Sequence, residues 1–384
     1  MSGSTGGSAA DLRGHDEIAD RAEERLYVAS QWRLMWLKFR RHKVALVGVA
    51  VTVLFYLLAA FCEVVAPYDP RHRHGSHTFV PPQAVHFYDS EGGFSLRPFV
   101  YKLERHIDPR SLRRTYTEDR SQRYYVELFH RGQPYEWWGL FETDVHLFGV
   151  DKEATVFLLG TDRLGRDMLS RILYGARISL SIGLVGVAIS LVLGLLLGGV
   201  SGYYGGLTDT VVQRIIELLR SFPTIPLWLA LSAAIPETWM PVQRYFAITV
   251  ILSVLGWTGL ARVVRGKLLA LREEEFVTAA LVAGEREGTI IRRHLLPSFM
   301  SHIIVSITLS IPGMILAETG LSFLGLGLRP PEISWGVLLK EAQNITAVGL
   351  NPWLLLPAVP IVLTVLAFNF VGDGLRDAAD PYKA

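Results

Sequence analysis

Four long stretches of this chain carry no formal charge: Val44–Cys62 (19 residues), Ile178–Thr208 (31), Leu295–Ala317 (23) and Ile345–Gly372 (28). About 20 helical residues cross the hydrocarbon core of a bilayer, and there every backbone N–H and C=O must be satisfied within the segment. Apolar runs of this length therefore dictate membrane-spanning helices. Two shorter candidates, Ser221–Pro236 and Tyr245–Ala261, lie between the second and third runs. Pro223, Pro226 and Pro236 interrupt the first, so it is expected as a kinked or broken span held inside a bundle. Counting both gives six spans. The composition agrees, with half of the 384 residues hydrophobic and only 19% charged, against about a quarter charged in soluble domains.

The distribution of positive charge orients the spans. Arg33, Lys38, Arg40, Arg41 and Lys43 flank the first run and place the N-terminus in the cytoplasm. With six spans, segments 31–43, 205–220, 262–298 and 373–384 share that side and hold sixteen Lys and Arg. The short loops 236–245 and 320–350 on the other side hold three. Removing both marginal spans leaves the parity unchanged, so both termini and residue 284 are expected to be cytoplasmic. The long loop, 66–177, is then extracytoplasmic, because long loops translocate largely regardless of charge. Its stretches PFVYKL and YYVELF, bounded by Gly, Pro and Asp, read as short strands of a small, partly β-structured insert. The expected organisation is a cytoplasmic tail over 1–43 (disordered over 1–30), a first span over 44–65, the insert over 66–177, a five-helix body over 178–376 and a cytoplasmic tail over 377–384.

Several chemistries are excluded. A net charge of +2 gives no case for nucleic acid. The lone Cys62 rules out an internal disulfide and leaves no metal cluster. Phe61 is too bulky for a lipoprotein cleavage site before that cysteine, so the first helix is expected to stay uncleaved. The sequence lacks a Walker A loop, so it does not hydrolyse ATP itself. It also lacks HExxH and paired aspartates within spans, and nothing fixes a serine partner for His302. Asp209, Glu217, Glu237, Glu318 and Asp373 fall at predicted span ends, where helix-end pairing competes with a functional role. Ser179, Ser181, Ser190, Ser306, Thr308, Ser310 and Asn369 either line a polar path or serve as helix-packing contacts. No residue of a substrate pathway is assigned.

Two polar segments stand out. In TAALVAGEREGTIIRRHLLPS, 278–298, Phe276, Ala279, Ala280 and Ala283 fall on one face of a short helix. Gly284 can take the left-handed conformation that ends it. A second short helix of roughly Arg286–His294 follows, and Pro297 punctuates the entry to the next span. The segment thus reads as a helix–turn–helix at the cytoplasmic surface, with Glu285, Arg286, Arg292 and Arg293 facing water or a partner. An amphipathic connector snorkelling its basic residues to lipid headgroups would show the same pattern. In LGTDRLGRDMLSRILYGARISLSIG, 159–183, Thr161 or Asp162 can cap a helix. Asp162 and Arg166 stand at i, i+4, and the stretch reads as an amphipathic helix at the outer interface leading into the membrane.

The order A-A-x3-G-x9-x-x-L-P, carried by Ala279, Ala280, Gly284, Leu296 and Pro297, resembles the coupling-loop signature of ABC importer permeases. Thr278 stands where that signature has glutamate, and His294 where it has isoleucine. Residues 159–183, GYYGGLTDTVVQRIIELLRSFPTIPL (202–227) and ETGLSFLGLGLRPPEISWGVLL (318–339) resemble the C-type permease subunit of dipeptide/oligopeptide ABC importers. The insert over 66–158 is similar to that of the long-loop, Yej-like branch. The resemblance implies an all-α integral membrane protein with the six-helix type I ABC importer permease fold, carrying the small β insert. It further implies a non-enzymatic transport subunit of the inner membrane, paired with a second homologous permease, two ATP-binding subunits or domains and an extracytoplasmic peptide-binding protein. ATP and magnesium would sit on those partners and no cofactor on this chain. Thr278, Ala279, Ala280, Gly284, Glu285, Leu296 and Pro297, within a coupling loop over 273–298, would contact the ATP-binding subunit. Nickel or another small solute is the alternative cargo, and an ion-coupled secondary transporter the alternative class.

Overall fold

The computed structural model describes residues 31–88, 93–110, 114–151 and 153–380. The tail expected over residues 1–30 lies outside them. Helix α1 (Gln31–Arg41) precedes the first span, and its Met35 and Phe39 pack against Ala45 and Ala378. The segment before the first span is therefore helical where it is described. Its last turn carries Lys38, Arg40 and Arg41, which complement the negative end of the helix dipole.

Five segments are long and apolar enough to cross a membrane: α2 (Lys43–Ala60), α4 (Met168–Tyr204), α7 (Pro241–Leu271), α10 (Met300–Phe323) and Pro352–Ala379, whose regular part is α13 (Ala358–Ala379). A sixth traverse comes from α5 (Gly206–Ser221) and α6 (Thr224–Ala233), bent by 86° at Phe222–Pro223. At about 1.5 Å per residue α6 alone covers only half of the hydrocarbon core. The return is nevertheless required by packing. Tyr245 reaches Ser181, Ser253 reaches Gly186, Leu260 meets Gly194, Ala261 meets Gly198 and Arg265 meets Gly202. Both helices rise in number together, so α4 and α7 are parallel, and the chain between them must come back. The broken span expected around Ser221–Pro236 thus begins earlier, at Gly206, with the break at Pro223 and not Pro236.

Other boundaries also differ from the uncharged runs. The run Ile345–Gly372 is not one helix. It opens with α12 (Ile345–Leu350), capped by Asn344, and a 3-10 turn after Pro352, before α13 starts at Ala358. Asn351-Pro352 and Pro357 break what hydropathy alone joins. Ahead of α4, residues 161–167 form a closed turn and not a helix. Asp162 accepts hydrogen bonds from the amides of Leu164 and Arg166, Gly165 sits at φ +72°, and a Cβ there would lie 2.1 Å from the His74 carbonyl oxygen. The cap is consequently Asp167, which accepts from Ser170 N at 2.7 Å. One 37-residue helix then runs straight inward, with no separate interfacial helix. The Asp162–Arg166 contact forms, at 2.6 Å, but inside this turn, and the buried Arg171 joins it from α4.

After α2 the chain breaks at Phe61, forms the single-turn α3 (Cys62–Val65) and enters the insert. Strands β1 (His86–Tyr88), β2 (Phe94–Ile107) and β3 (Arg114–Tyr125) form an antiparallel sheet, and β4 (Glu127–Trp137) and β5 (Phe141–Gly149) a separate hairpin. PFVYKL lies in β2 as expected. YYVELF is not one strand: it straddles the end of β3 and the start of β4, which part at Val126, whose amide donates to Pro98 O at 2.8 Å. The helical core runs through Leu180, Ile182, Ile248, Leu252, Ile315 and Trp335, the first residue of α11 (Trp335–Lys340).

Candidate coupling site

Between α7 and α10 lies the expected helix–turn–helix. Helix α8 (Glu275–Val282) ends on Gly284 at φ +81°. Gly284 N donates to Leu281 O at 3.0 Å and Glu285 N to Ala280 O at 3.1 Å, the paired bonds of a Schellman cap that satisfy carbonyls left over at a helix end. A Cβ at Gly284 would meet nothing within 4 Å, so glycine is required there by backbone conformation and not by space. The second arm begins as α9 (Glu287–Ile290), widens to a π turn over Ile291–Leu295 and regains α geometry over Leu296–Ser298. Pro297 accounts for the widening. It offers no N–H to Arg293 O, and its ring crowds that carbonyl.

The inner faces of both arms are apolar and closed. Val277 and Ala280 from α8, and Ile290 and Leu295 from the second arm, form one buried cluster with Val264 and Leu268 of α7, Ile303 of α10 and Phe299, the residue that caps α10. Tyr203, at the far end of α4 from the insert, joins it. The loop therefore sits at the opposite end of the bundle from the β insert and is packed as one body onto α7 and α10. The outer face of α8 is apolar too, but uncovered: Phe276 is 43% exposed, Leu281 48% and Val282 85%.

The expected contact residues distribute over both faces. Thr278 and Ala279 are exposed, Ala280 points into the cluster, Leu296 is half-buried against it and Pro297 is exposed. Of the four residues placed on one helix face, Phe276, Ala279 and Ala283 point outward and Ala280 inward, because Val277 and Ala280 (i, i+3) form the packing stripe. Arg286, Arg292 and Arg293 are exposed. Glu285, expected to face water or a partner, instead meets His294 within the loop: Oε2 to Nε2 is 3.1 Å and both side chains are about one-third exposed.

Sequence reasoning missed the clamp beside the loop. Arg265 of α7 binds Asp209 of α5 through Nε and Nη2, both at 2.5 Å, and Ser201 of α4 donates to the same carboxylate. Three helices meet there, and the two parallel charge-assisted bonds fix the guanidinium on the carboxylate. Among the other carboxylates, Glu318 is fully buried and accepts from Ser322 and Ser334, both at 2.7 Å, and Ser179 at 3.3 Å. Ser179 and Ser190 make buried contacts between elements, Ser179 accepting from Trp335 N and Ser190 donating to Ser253 O. Glu237 pairs with Arg329 and Glu217 with Arg214.

The family described as binding-protein-dependent transport system inner membrane component matches residues 167–383, more than half of the chain, including the whole loop and clamp. The chain belongs to this family. A second family, the N-terminal TM domain of oligopeptide transport permease C, matches residues 30–82, so residues 83–166 of the insert fall between the two matches. The chain is 44% identical over 223 residues to the oligopeptide transport system permease protein OppC of Haemophilus influenzae, covering 58% of this chain and 69% of the relative. It is 43% identical over 222 residues to the dipeptide transport system permease protein DppC of Bacillus subtilis (58% and 68% covered). With OppC of Bacillus subtilis it shares 30% identity over 353 residues, 92% of this chain and 90% of that one. As a member of the family it is a multi-pass inner-membrane protein, an all-α bundle carrying a small β insert.

Proposed function

We propose that this chain is the C-type permease subunit of an ABC importer for oligopeptides or dipeptides, with the 273–298 loop as its coupling element. The observation that carries the reading is the two-faced character of the loop. Its inner face is buried against α7 and α10, whereas Phe276, Leu281 and Val282 present apolar surface at an end of the bundle that meets water. Exposed apolar patches of this kind mark interaction sites. The names of the relatives support a peptide as cargo, and the charge distribution supports a cytoplasmic location for the loop and both termini, with the insert extracytoplasmic.

In this reading the chain is not itself an enzyme. ATP and magnesium bind to two partner subunits or domains, a second homologous permease completes the pathway, and an extracytoplasmic binding protein delivers the peptide. Closure of the ATP-binding subunits displaces the loop, and α7 and α10 move with it because Val264, Leu268, Phe299 and Ile303 share its core. Glu285–His294 and the Gly284 turn keep the two arms at a fixed angle, so displacement is transmitted and not absorbed. The bound state that the partner favours is then propagated as a population shift of the bundle.

The test is reconstitution of the chain with its co-purifying subunits in vesicles. ATP-dependent accumulation of a labelled peptide library supports the proposal. Nickel uptake in place of peptide would overturn the cargo, and uptake driven by an ion gradient without ATP would overturn the class.

A further inference from the structure

The β4–β5 hairpin closes at the rung Trp137↔Phe141, leaving Trp138, Gly139 and Leu140 in the turn. This turn is fastened to the end of the first span. Trp138 Nε1 donates to Ala60 O at 2.9 Å, and the Phe61 ring stacks on Trp137 with centroids 5.8 Å apart. The Arg177 guanidinium lies 4.4 Å above the Trp138 ring while its Nη1 and Nη2 hold Glu63. Ala60 is the last residue of α2, so the turn stands at the depth where the apolar span ends. Farther along the hairpin, His146 Nδ1 lies 2.6 Å from Ala66 O. The strands therefore climb with the departing chain, and the turn is the part of the hairpin nearest the bilayer.

What the turn presents at that depth is apolar and uncovered: Trp138 is 55% exposed, Leu140 75%, Phe141 63% and the neighbouring Phe61 43%. Tryptophan and other rings with one apolar and one polar edge concentrate at headgroup level. Beside them, α2 is little covered, 17% buried within the chain against 39–44% for the other four unbroken spans. The exposed turn is thus continuous with a helix face that the chain itself leaves uncovered. One rung above, Glu136 and Glu142 are paired across the strands and exposed, and carboxylates there set a limit on depth. Trp138 itself sits at φ +53°, a conformation bulky residues rarely adopt, held by its bond to Ala60 and its contact with Arg177.

We propose that Phe61 and residues 137–141 seat in the headgroup region of the leaflet on the insert's side and tether the insert to the bilayer. The partner is a lipid surface, and the contact is interfacial, limited by the two carboxylates. The inference rests on the membrane span ending at Ala60, and not on which side is cytoplasmic or on the cargo.

Site-directed spin labelling tests it on the full-length chain, with its co-purifying subunits, in nanodiscs of phosphatidylethanolamine and phosphatidylglycerol. Cys62 is buried and stays unlabelled. Labels at Leu140→Cys and, as the reference at the hairpin's far end, Leu128→Cys (73% exposed) are compared for collision with oxygen and with a water-soluble nickel chelate. The expected result is an oxygen-to-nickel collision ratio several-fold higher at 140 than at 128. Equal ratios would place the turn in water and overturn the proposal. Exclusion of both reagents at 140 would overturn it too, by showing a protein partner on the turn. Phe141→Cys gives the same readout if Leu140→Cys does not assemble.

Discussion

Nε2 of His294 stands 3.1 Å from Oε2 of Glu285, joining the second arm of the loop to the turn that ends the first. The two stand nine positions apart in sequence, and the contact closes the hinge that Gly284 opens. With both side chains about one-third exposed, the pair is expected to contribute about 0.2–1 kcal/mol. A double-mutant cycle with Glu285→Ala and His294→Ala, read by thermal unfolding of the purified complex, should return a coupling energy in that range. A value of zero would mean the arms are held by the apolar cluster alone.

The Asp209–Arg265 clamp should be worth more than a surface pair. Its two short bonds are charge-assisted and bidentate, and its side chains are 18% and 31% exposed, against 53% and 77% for Glu217–Arg214. Asp209→Asn is expected to destabilise the complex by about 1.5 kcal/mol or more. Glu217→Gln should change it by less than about 0.5 kcal/mol. Arg265→Lys should not rescue, because an ammonium cannot reproduce the two parallel bonds. Comparable effects from Asp209→Asn and Glu217→Gln in chemical denaturation would contradict the clamp.

Gly198 and Gly199 are neighbours in α4 with opposite surroundings. A Cβ at 198 would lie 2.7 Å from the Ala261 Cα and 2.5 Å from its carbonyl oxygen, whereas at 199 it would meet nothing within 4 Å. Gly198→Ala should therefore push α4 from α7, at about 1–3 kcal/mol. Gly199→Ala should be neutral or stabilising by roughly 0.5–1 kcal/mol, from lower backbone entropy in the unfolded chain. The order of the two midpoints on heating checks the parallel α4–α7 seam.

His74, packed against Phe157, Tyr68 and His72, gives the insert a pH dependence. Burial, and secondarily the charges of His72 and His77, pull its pKa down to about 4. A base whose folded value lies below its unfolded one, about 6.5, opposes protonation in the fold. Its contribution to stability is thus intact above pH 6.5, falls as pH drops and is lost by about pH 4. Amide protection factors over residues 72–80 should decline across that window, and His74→Gln should flatten the decline.

Much of the bundle was legible because hydropathy and charge act over whole helices. The uncharged runs located α2, α4, α10 and α13, and the Gly284 and Pro297 punctuation located the loop. Boundaries were not legible where local chemistry overrides periodicity. Asp162 spends its side chain on a turn and leaves the cap to Asp167, and Asn351-Pro352 divides an unbroken apolar run. Pairings between distant helices, such as Asp209 with Arg265, leave no spacing signal in either segment. Glu285–His294 escaped for a simpler reason: both residues are polar side chains on a surface loop, and only the sharp turn at Gly284 brings them face to face.

The most direct test of the loop as coupling element is the number of ATP molecules hydrolysed per peptide taken up by reconstituted vesicles carrying Gly284→Val or Gly284→Asn. At φ +81° a β-branched residue is strained by about 1–2 kcal/mol, while asparagine tolerates the left-handed conformation. Gly284→Val is expected to insert and assemble but to hydrolyse ATP without accumulating peptide, and Gly284→Asn to keep a ratio near that of the parent. Peptide uptake by Gly284→Val at the parental ratio would contradict the loop's coupling role.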